Sequence, residues 1–187
     1  MDFIQITALL LILGTVLIYT GFGISPWGIY TEENIQAKLK LLEAQPGRWF
    51  WGQVLVVVGG MVAVAGLLGL IPVFRESRGA LLAVMAGVAF ILGHIFWFWE
   101  VGLRAVRPQM FAKNELPGWL YRTYSLCVLL ALAVLGAAFW TQETHALLGA
   151  GLSGGAVLIL VLTMMDKGVP PFVYYAMTLA IGLTLLF

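Results

Sequence analysis

Charged residues are scarce in this chain of 187 residues, where Asp, Glu, Lys and Arg together make up 10% of the sequence. Because a soluble domain carries about 25% charged residues, this chain has too little charge to face water on all sides. Its net charge of +1 provides no basis for binding nucleic acid, and we predict no such partner. The single Cys127 excludes an intramolecular disulfide and lies in an apolar run, where a small packing role is expected.

Clusters of catalytic or metal-binding residues are also absent from the sequence. Asp occurs only at Asp2 and Asp166, and the sequence contains no HExxH, CxxC or glycine-rich phosphate-binding motif. Metal and phosphate chemistry depend on ligands arranged in such motifs. We therefore predict no metal site, assign no cofactor, and favour a protein that is not an enzyme.

Long apolar runs make up most of the sequence, which is 61% hydrophobic. A helix of roughly 20 apolar residues crosses a bilayer. Backbone groups in lipid must be hydrogen-bonded within their own segment, which favours helices for runs of this length. We therefore predict an all-α, polytopic membrane protein with a single transmembrane domain, residues 1–187, built as a bundle of six transmembrane helices. The predicted spans are residues 3–25, 50–72, 79–103, 118–141, 146–165 and 170–187.

Residues 31–44, between the first two predicted spans, show a different pattern. Thr31 is a suitable N-cap, and Ile35, Leu39 and Leu42 recur at helical spacing to form one apolar stripe. The pattern predicts a short amphipathic helix that lies in the membrane interface. We interpret this helix as a linker between two spans; the alternative is a lid over an opening between them.

Lys and Arg are distributed unevenly between the two ends of the predicted spans. Two of them, Arg75 and Arg78, lie at one end, and eight lie at the other. The richer end is expected to be cytoplasmic by the positive-inside rule. The sequence therefore predicts a multi-pass protein of the cell inner (plasma) membrane with both termini outside the cytoplasm. The eight residues are Lys38, Lys40, Arg48, Arg104, Arg107, Lys113, Arg122 and Lys167.

Ionisable residues within membrane spans are costly, and they mark candidate functional sites. His94 lies near the middle of the third span, and four other polar side chains are predicted in the cytoplasmic half of the bundle. We predict that these five residues line one ligand-binding pocket. The alternative is that His94 only hydrogen-bonds a polar residue of a neighbouring helix. The predicted pocket consists of His94, Tyr19, Gln53, Tyr124 and Tyr175.

Glu100 and Arg104 are one helical turn apart near the cytoplasmic end of the third span, which is a favourable spacing for an ion pair. We predict a structural salt bridge between them. Arg122 enters the fourth span from the same side of the membrane. The alternative is therefore a bridge from Glu100 to Arg122 that ties the third and fourth spans together.

These features favour a non-catalytic helical bundle that binds a lipid or another hydrophobic small molecule, or an accessory subunit packed against other membrane proteins. Membrane lipids are the expected partners. A small-solute transporter or channel is an alternative, although no Asp or Glu lies in the central third of a predicted span. A haem-binding redox protein is another alternative, although the two histidines, His94 and His145, are predicted to differ in depth by more than about 10 Å.

Overall fold

The structure, a computed structural model, describes residues 2–142, 145–165 and 169–187. Within these ranges the chain forms eight α-helices and no β-strand, and a short 3-10 turn, Ile71–Phe74, follows the third helix. The helices are α1 (Phe3–Ile24), α2 (Ile35–Ala44), α3 (Pro46–Leu68), α4 (Ala80–Val106), α5 (Pro108–Ala112), α6 (Gly118–Trp140), α7 (Ala146–Met164) and α8 (Phe172–Leu186).

Five of these helices, α1, α3, α4, α6 and α7, are long and apolar enough to cross a membrane. The sixth apolar helix, α8, has 15 residues. At a rise of 1.5 Å per residue its length is about 22 Å, which is less than the hydrocarbon core of about 30 Å. The predicted all-α membrane bundle is confirmed, with a last helix that begins at Phe172 instead of Pro170. This later start has a physical reason, because a residue that precedes a proline is disfavoured in the helical conformation.

The amphipathic helix α2 is shorter than predicted, because it begins at Ile35 and not at residue 31. Asn34 is its N-cap, and the Asn34 side-chain oxygen accepts hydrogen bonds from two backbone amides of the first turn, at 2.9 and 3.1 Å. Thr31, the predicted N-cap, instead donates its hydroxyl to the Gly28 carbonyl oxygen at 3.1 Å. The Thr31 amide also donates to Gly28, so Thr31 belongs to the preceding turn.

The apolar helices pack side by side, with α1 against α3, α3 against α4, α4 against α6, and α6 against α7. The last helix, α8, packs on the other side of α1 and makes lighter contact with α7, which closes the bundle. The short helices α2 and α5 contact each other at one end of the bundle. We call this end the basic end. It carries Lys38, Lys40, Arg48, Arg104, Arg107, Lys113 and Arg122.

Glycines bring α1 and α3 into backbone contact. Gly14 and Gly21 are seven residues apart on α1, and Gly52 and Gly59 are seven residues apart on α3, so each pair lies on one helix face. A Cβ atom added at Gly59 would lie 2.6 Å from the Gly14 carbonyl oxygen, and one added at Gly21 would lie 2.6 Å from the Gly52 carbonyl oxygen. Helices in lipid associate through such close approach, because the hydrophobic effect does not drive them together there.

Gly59→Ala is expected to lower the free energy of unfolding by about 1–3 kcal/mol, because the added methyl group requires the α1 or α3 backbone to move. The matched control is Gly154→Ala in α7, where an added Cβ has no neighbour within 4 Å and alanine is the better helix former. Thermal unfolding in detergent measures both variants. A Gly59→Ala protein as stable as the Gly154→Ala protein would contradict the close packing of α1 and α3.

Candidate functional site

His94 on α4 is buried and makes two hydrogen bonds. Its Nδ1 lies 2.9 Å from the Phe90 carbonyl oxygen, one turn earlier in the same helix, and its Nε2 lies 3.1 Å from the Tyr175 hydroxyl on α8. The His94 ring also packs edge-on against the Tyr124 ring of α6, with 5.9 Å between the centroids. Three of the five predicted pocket residues therefore lie together in the buried centre of the bundle.

Glu100 and Arg104 form an ion pair within α4, in which the Arg104 Nη2 donates to the Glu100 Oε1. The Arg104 guanidinium also lies over two aromatic rings, 5.1 Å from the centre of the Trp97 ring and 5.4 Å from that of Phe111. Arg122, the alternative partner of Glu100, is an exposed residue of α6. The carboxylate of Glu100 is 4% exposed, and its second oxygen has no hydrogen-bond partner among the described residues.

A cavity of about 650 Å³ opens at the basic end, among the ends of α1, α4, α6 and α8 and beside α2 and α5. Small-molecule sites have volumes of about 300–1,000 Å³, so this basic-end cavity is large enough to hold a small molecule. Half of its lining residues are aromatic, and its charged residues are Lys38 and Arg104. The lining residues are Tyr19, Phe22, Tyr30, Thr31, Lys38, Arg104, Phe111, Asn114, Tyr121, Pro170, Pro171 and Phe172.

The other two predicted pocket residues are connected to this cavity and not to the buried centre. Tyr19 on α1 lines the cavity and donates its hydroxyl to the Phe172 carbonyl oxygen at 2.9 Å. Gln53 on α3 donates its side-chain amide to the hydroxyl of the cavity-lining Tyr30 at 3.1 Å. His94 is not among the residues that line the cavity. That all five residues bind one ligand stays a prediction.

Lys38 lies on the buried side of α2, where it is 9% exposed, one turn before the buried Leu42. Ile35, predicted to lie on the apolar stripe, is 40% exposed instead. It is the first residue of α2, and it does not belong to the apolar cluster that contains Leu42. The Lys38 Nζ lies 5.7 Å from the centre of the Phe111 ring. Lys38 is not among the site residues predicted from sequence, although its four-residue spacing from Leu42 indicates a shared helix face.

A small apolar cluster positions α2 and α5 beside the cavity. Its central residue, Trp49 on α3, donates its indole N–H to the Arg104 carbonyl oxygen at 2.9 Å. The Trp49 ring also packs against the Phe111 ring of α5, with 4.8 Å between the centroids. Trp49 therefore holds two parts of the cavity wall in place. The buried members of the cluster are Ile29, Leu42, Trp49 and Ala112.

Binding of a metal ion or a haem depends on how the donor side chains are arranged. Across residues 2–142, 145–165 and 169–187, no group of three or more His, Cys, Asp and Glu side chains is arranged to hold a metal ion. Both ring nitrogens of His94 are hydrogen-bonded in this arrangement, so neither is available to a haem iron. His145 lies at the start of α7, at the end of the bundle opposite the basic end. These histidines do not form a paired haem site.

Comparisons of the chain with protein-family models, with curated proteins and with solved structures found no match. The function is therefore inferred from the geometry of the buried centre and of the basic-end cavity.

Tyr175→Phe is expected to lower the free energy of unfolding by about 1–3 kcal/mol, because it leaves the His94 Nε2 buried without its hydrogen-bond partner. Tyr19→Phe is the matched control, since it also removes a tyrosine hydroxyl, but from an exposed hydrogen bond to the Phe172 carbonyl oxygen. This control should change stability by less than about 0.5 kcal/mol. Thermal unfolding in detergent compares the two, and equal stabilities would show that the His94–Tyr175 hydrogen bond does not stabilise the bundle.

Proposed function

We propose that this protein is an integral membrane protein that binds a lipid or another hydrophobic small molecule in the basic-end cavity, without catalysing a reaction on it. The observation that carries this proposal is the cavity itself, about 650 Å³ in volume and lined by six aromatic side chains. Cavities of this size, with mainly apolar and aromatic walls and a few polar groups, are typical of small-molecule sites.

The exposed aromatic residues at the rim of the cavity favour a ligand with an apolar chain and a polar head. Phe172, at the start of α8, is 51% exposed, and Tyr30, in the loop before α2, is 40% exposed. The cavity lies at the ends of the spanning helices, and aromatic rings with a polar edge concentrate at the headgroup level of a bilayer. A ligand taken from the membrane would place its chain between the helices and its head beside Lys38 and Arg104.

The proposed location is the plasma (inner) membrane, with the basic end on the cytoplasmic side. Seven of the eight Lys and Arg residues predicted on that side lie at the basic end, and the eighth, Lys167, lies outside the described residues. Arg75 and Arg78 lie at the other end. An excess of positive charge on the cytoplasmic side would place both termini outside the cytoplasm, and the cavity would open toward the cytoplasm.

Thr31→Phe is expected to weaken binding of methyl 9,10-dibromostearate at least about tenfold, or about 1.4 kcal/mol, because Thr31 lines the cavity and the larger ring fills part of it. Bromine quenching of tryptophan fluorescence in detergent micelles measures binding, since Trp49 packs against the cavity-lining Phe111. The matched control Thr20→Phe adds the same ring at an exposed position of α1 and should leave binding unchanged. Quenching that does not saturate, or equal binding by both variants, would refute the proposal.

The proposed orientation is tested by cysteine labelling in a Cys127→Ser background, which removes the single cysteine of the chain. Lys40→Cys and Arg78→Cys each introduce one thiol at an exposed position, at opposite ends of the bundle. In intact cells, a membrane-impermeant maleimide is expected to label Arg78→Cys, and to label Lys40→Cys only after the membrane is permeabilised. The opposite pattern would reverse the orientation and place the cavity opening outside the cytoplasm.

A further inference from the structure

We infer that the ligand of the basic-end cavity carries an anionic headgroup, a carboxylate or a phosphate, which Lys38 and Arg104 bind beside the Phe111 ring. This inference rests on the proposed binding function and narrows the ligand to acidic amphiphiles. Three observations support it: the charge imbalance at the cavity, the arrangement of two cations around one ring, and the apolar character of the opposite wall.

The charge imbalance consists of two cations beside a single carboxylate. Among the described residues that line the cavity, none is acidic, and Glu100, the carboxylate in contact with Arg104, uses one oxygen for that ion pair. Lys38 is 9% exposed and lies by the Phe111 ring, and no carboxylate in the described ranges pairs with it. Because a cation without a paired carboxylate attracts an anion more strongly in a partly enclosed site than in bulk water, the excess positive charge favours an anion in the cavity.

The two cations approach the same aromatic ring from different helices. The Lys38 Nζ lies 5.7 Å from the centre of the Phe111 ring, and the Arg104 Cζ lies 5.4 Å from it. Glu100 and the Trp97 ring also hold the Arg104 guanidinium, so its orientation is set before a ligand binds. A preorganised guanidinium near an ammonium group suits a carboxylate or phosphate, because charge-assisted hydrogen bonds from both can converge on its oxygens.

The wall toward α1 and α8 is mainly apolar, since the hydroxyl of Tyr19 on this side donates to the Phe172 carbonyl oxygen. Phe22, Pro170, Pro171 and Phe172 form this side of the cavity, and such a surface suits a hydrocarbon chain better than a polar metabolite. An acidic amphiphile would match both parts of the cavity at once, with its chain along these residues and its head between α2 and α4.

The first experiment compares two probes with the same chain in detergent micelles at pH 8: 9,10-dibromostearate, which is anionic, and its neutral methyl ester. Tryptophan quenching is expected to show saturable binding that is at least about tenfold tighter for the acid, because hydrogen bonds to charged groups are the stronger ones. Equal affinities would overturn the anionic headgroup and leave the proposed function standing. No saturable binding of either probe would overturn both.

The second experiment removes the charge of Lys38. Lys38→Gln is expected to weaken binding of the acid about tenfold or more and to remove most of the preference for the acid over the ester. Saturable binding of the ester to this variant shows that the cavity remains folded. Lys38→Arg keeps the charge and should keep the preference for the acid. The matched control Lys40→Gln removes the same charge from the exposed side of α2. Equal binding of the acid by Lys38→Gln and Lys40→Gln would overturn the inference.

A competition experiment distinguishes the two sources of an anionic headgroup. The stronger competitor against dibromostearate identifies the preferred headgroup. Stronger competition by lysophosphatidate would identify a phosphate, and stronger competition by palmitate would identify a carboxylate. Zwitterionic lysophosphatidylcholine is expected to compete at least about tenfold less well than the better of the two acids. Equally strong competition by lysophosphatidylcholine would overturn recognition by charge.

Discussion

Helices in a bilayer gain little from burying apolar surface against one another, so this bundle depends on close contact between helix backbones. An extensive contact between α1 and α3 brings their backbones together, because Gly14 faces Gly59 and Gly21 faces Gly52. One residue, Gln45, separates α2 from α3. Because α2 is joined so closely to α3, the pairing of α1 with α3 keeps α2 at the basic end and makes it part of the cavity wall.

The polar side chains of the buried centre and those of the basic end differ in how they are paired. In the centre, both nitrogens of His94 are hydrogen-bonded within the protein, one of them to Tyr175, which avoids the cost of an unpaired polar group away from water. At the basic end, Glu100 pairs with Arg104, and Lys38 lies beside an aromatic ring without a carboxylate partner among the described residues. Unsatisfied charge is tolerable there, because that end lies near water and headgroups. The proposed binding function therefore depends on the groups at the basic end.

The spans could be predicted from the sequence, because a membrane helix must satisfy its backbone within one apolar run whose length is visible. The first residue of α2 could not be predicted in this way, because Thr31 and Asn34 are both suitable N-caps. The turn that precedes the helix decides between them. His94 and Gln53 were predicted to share a pocket because they lie at similar depth in the membrane, yet they contact different residues. Depth alone does not show how each helix is rotated about its axis. The aromatic walls of the basic-end cavity could not be predicted, because they form by packing between segments that are distant in the sequence. The position of Lys38 on the packed face of α2 could be predicted from its four-residue spacing from Leu42.

The helix α2 is more than a connection between two spans, because one of its residues lines the cavity. It connects α1 to α3, and it also presents Lys38 to the cavity while Leu42 anchors it to the apolar cluster around Trp49. No carboxylate among the described residues pairs with the Lys38 ammonium group. In the proposed complex the headgroup supplies that partner. Because coupling between two equilibria is reciprocal, an anionic ligand would stabilise docked α2 by the same free energy by which docked α2 stabilises the bound ligand.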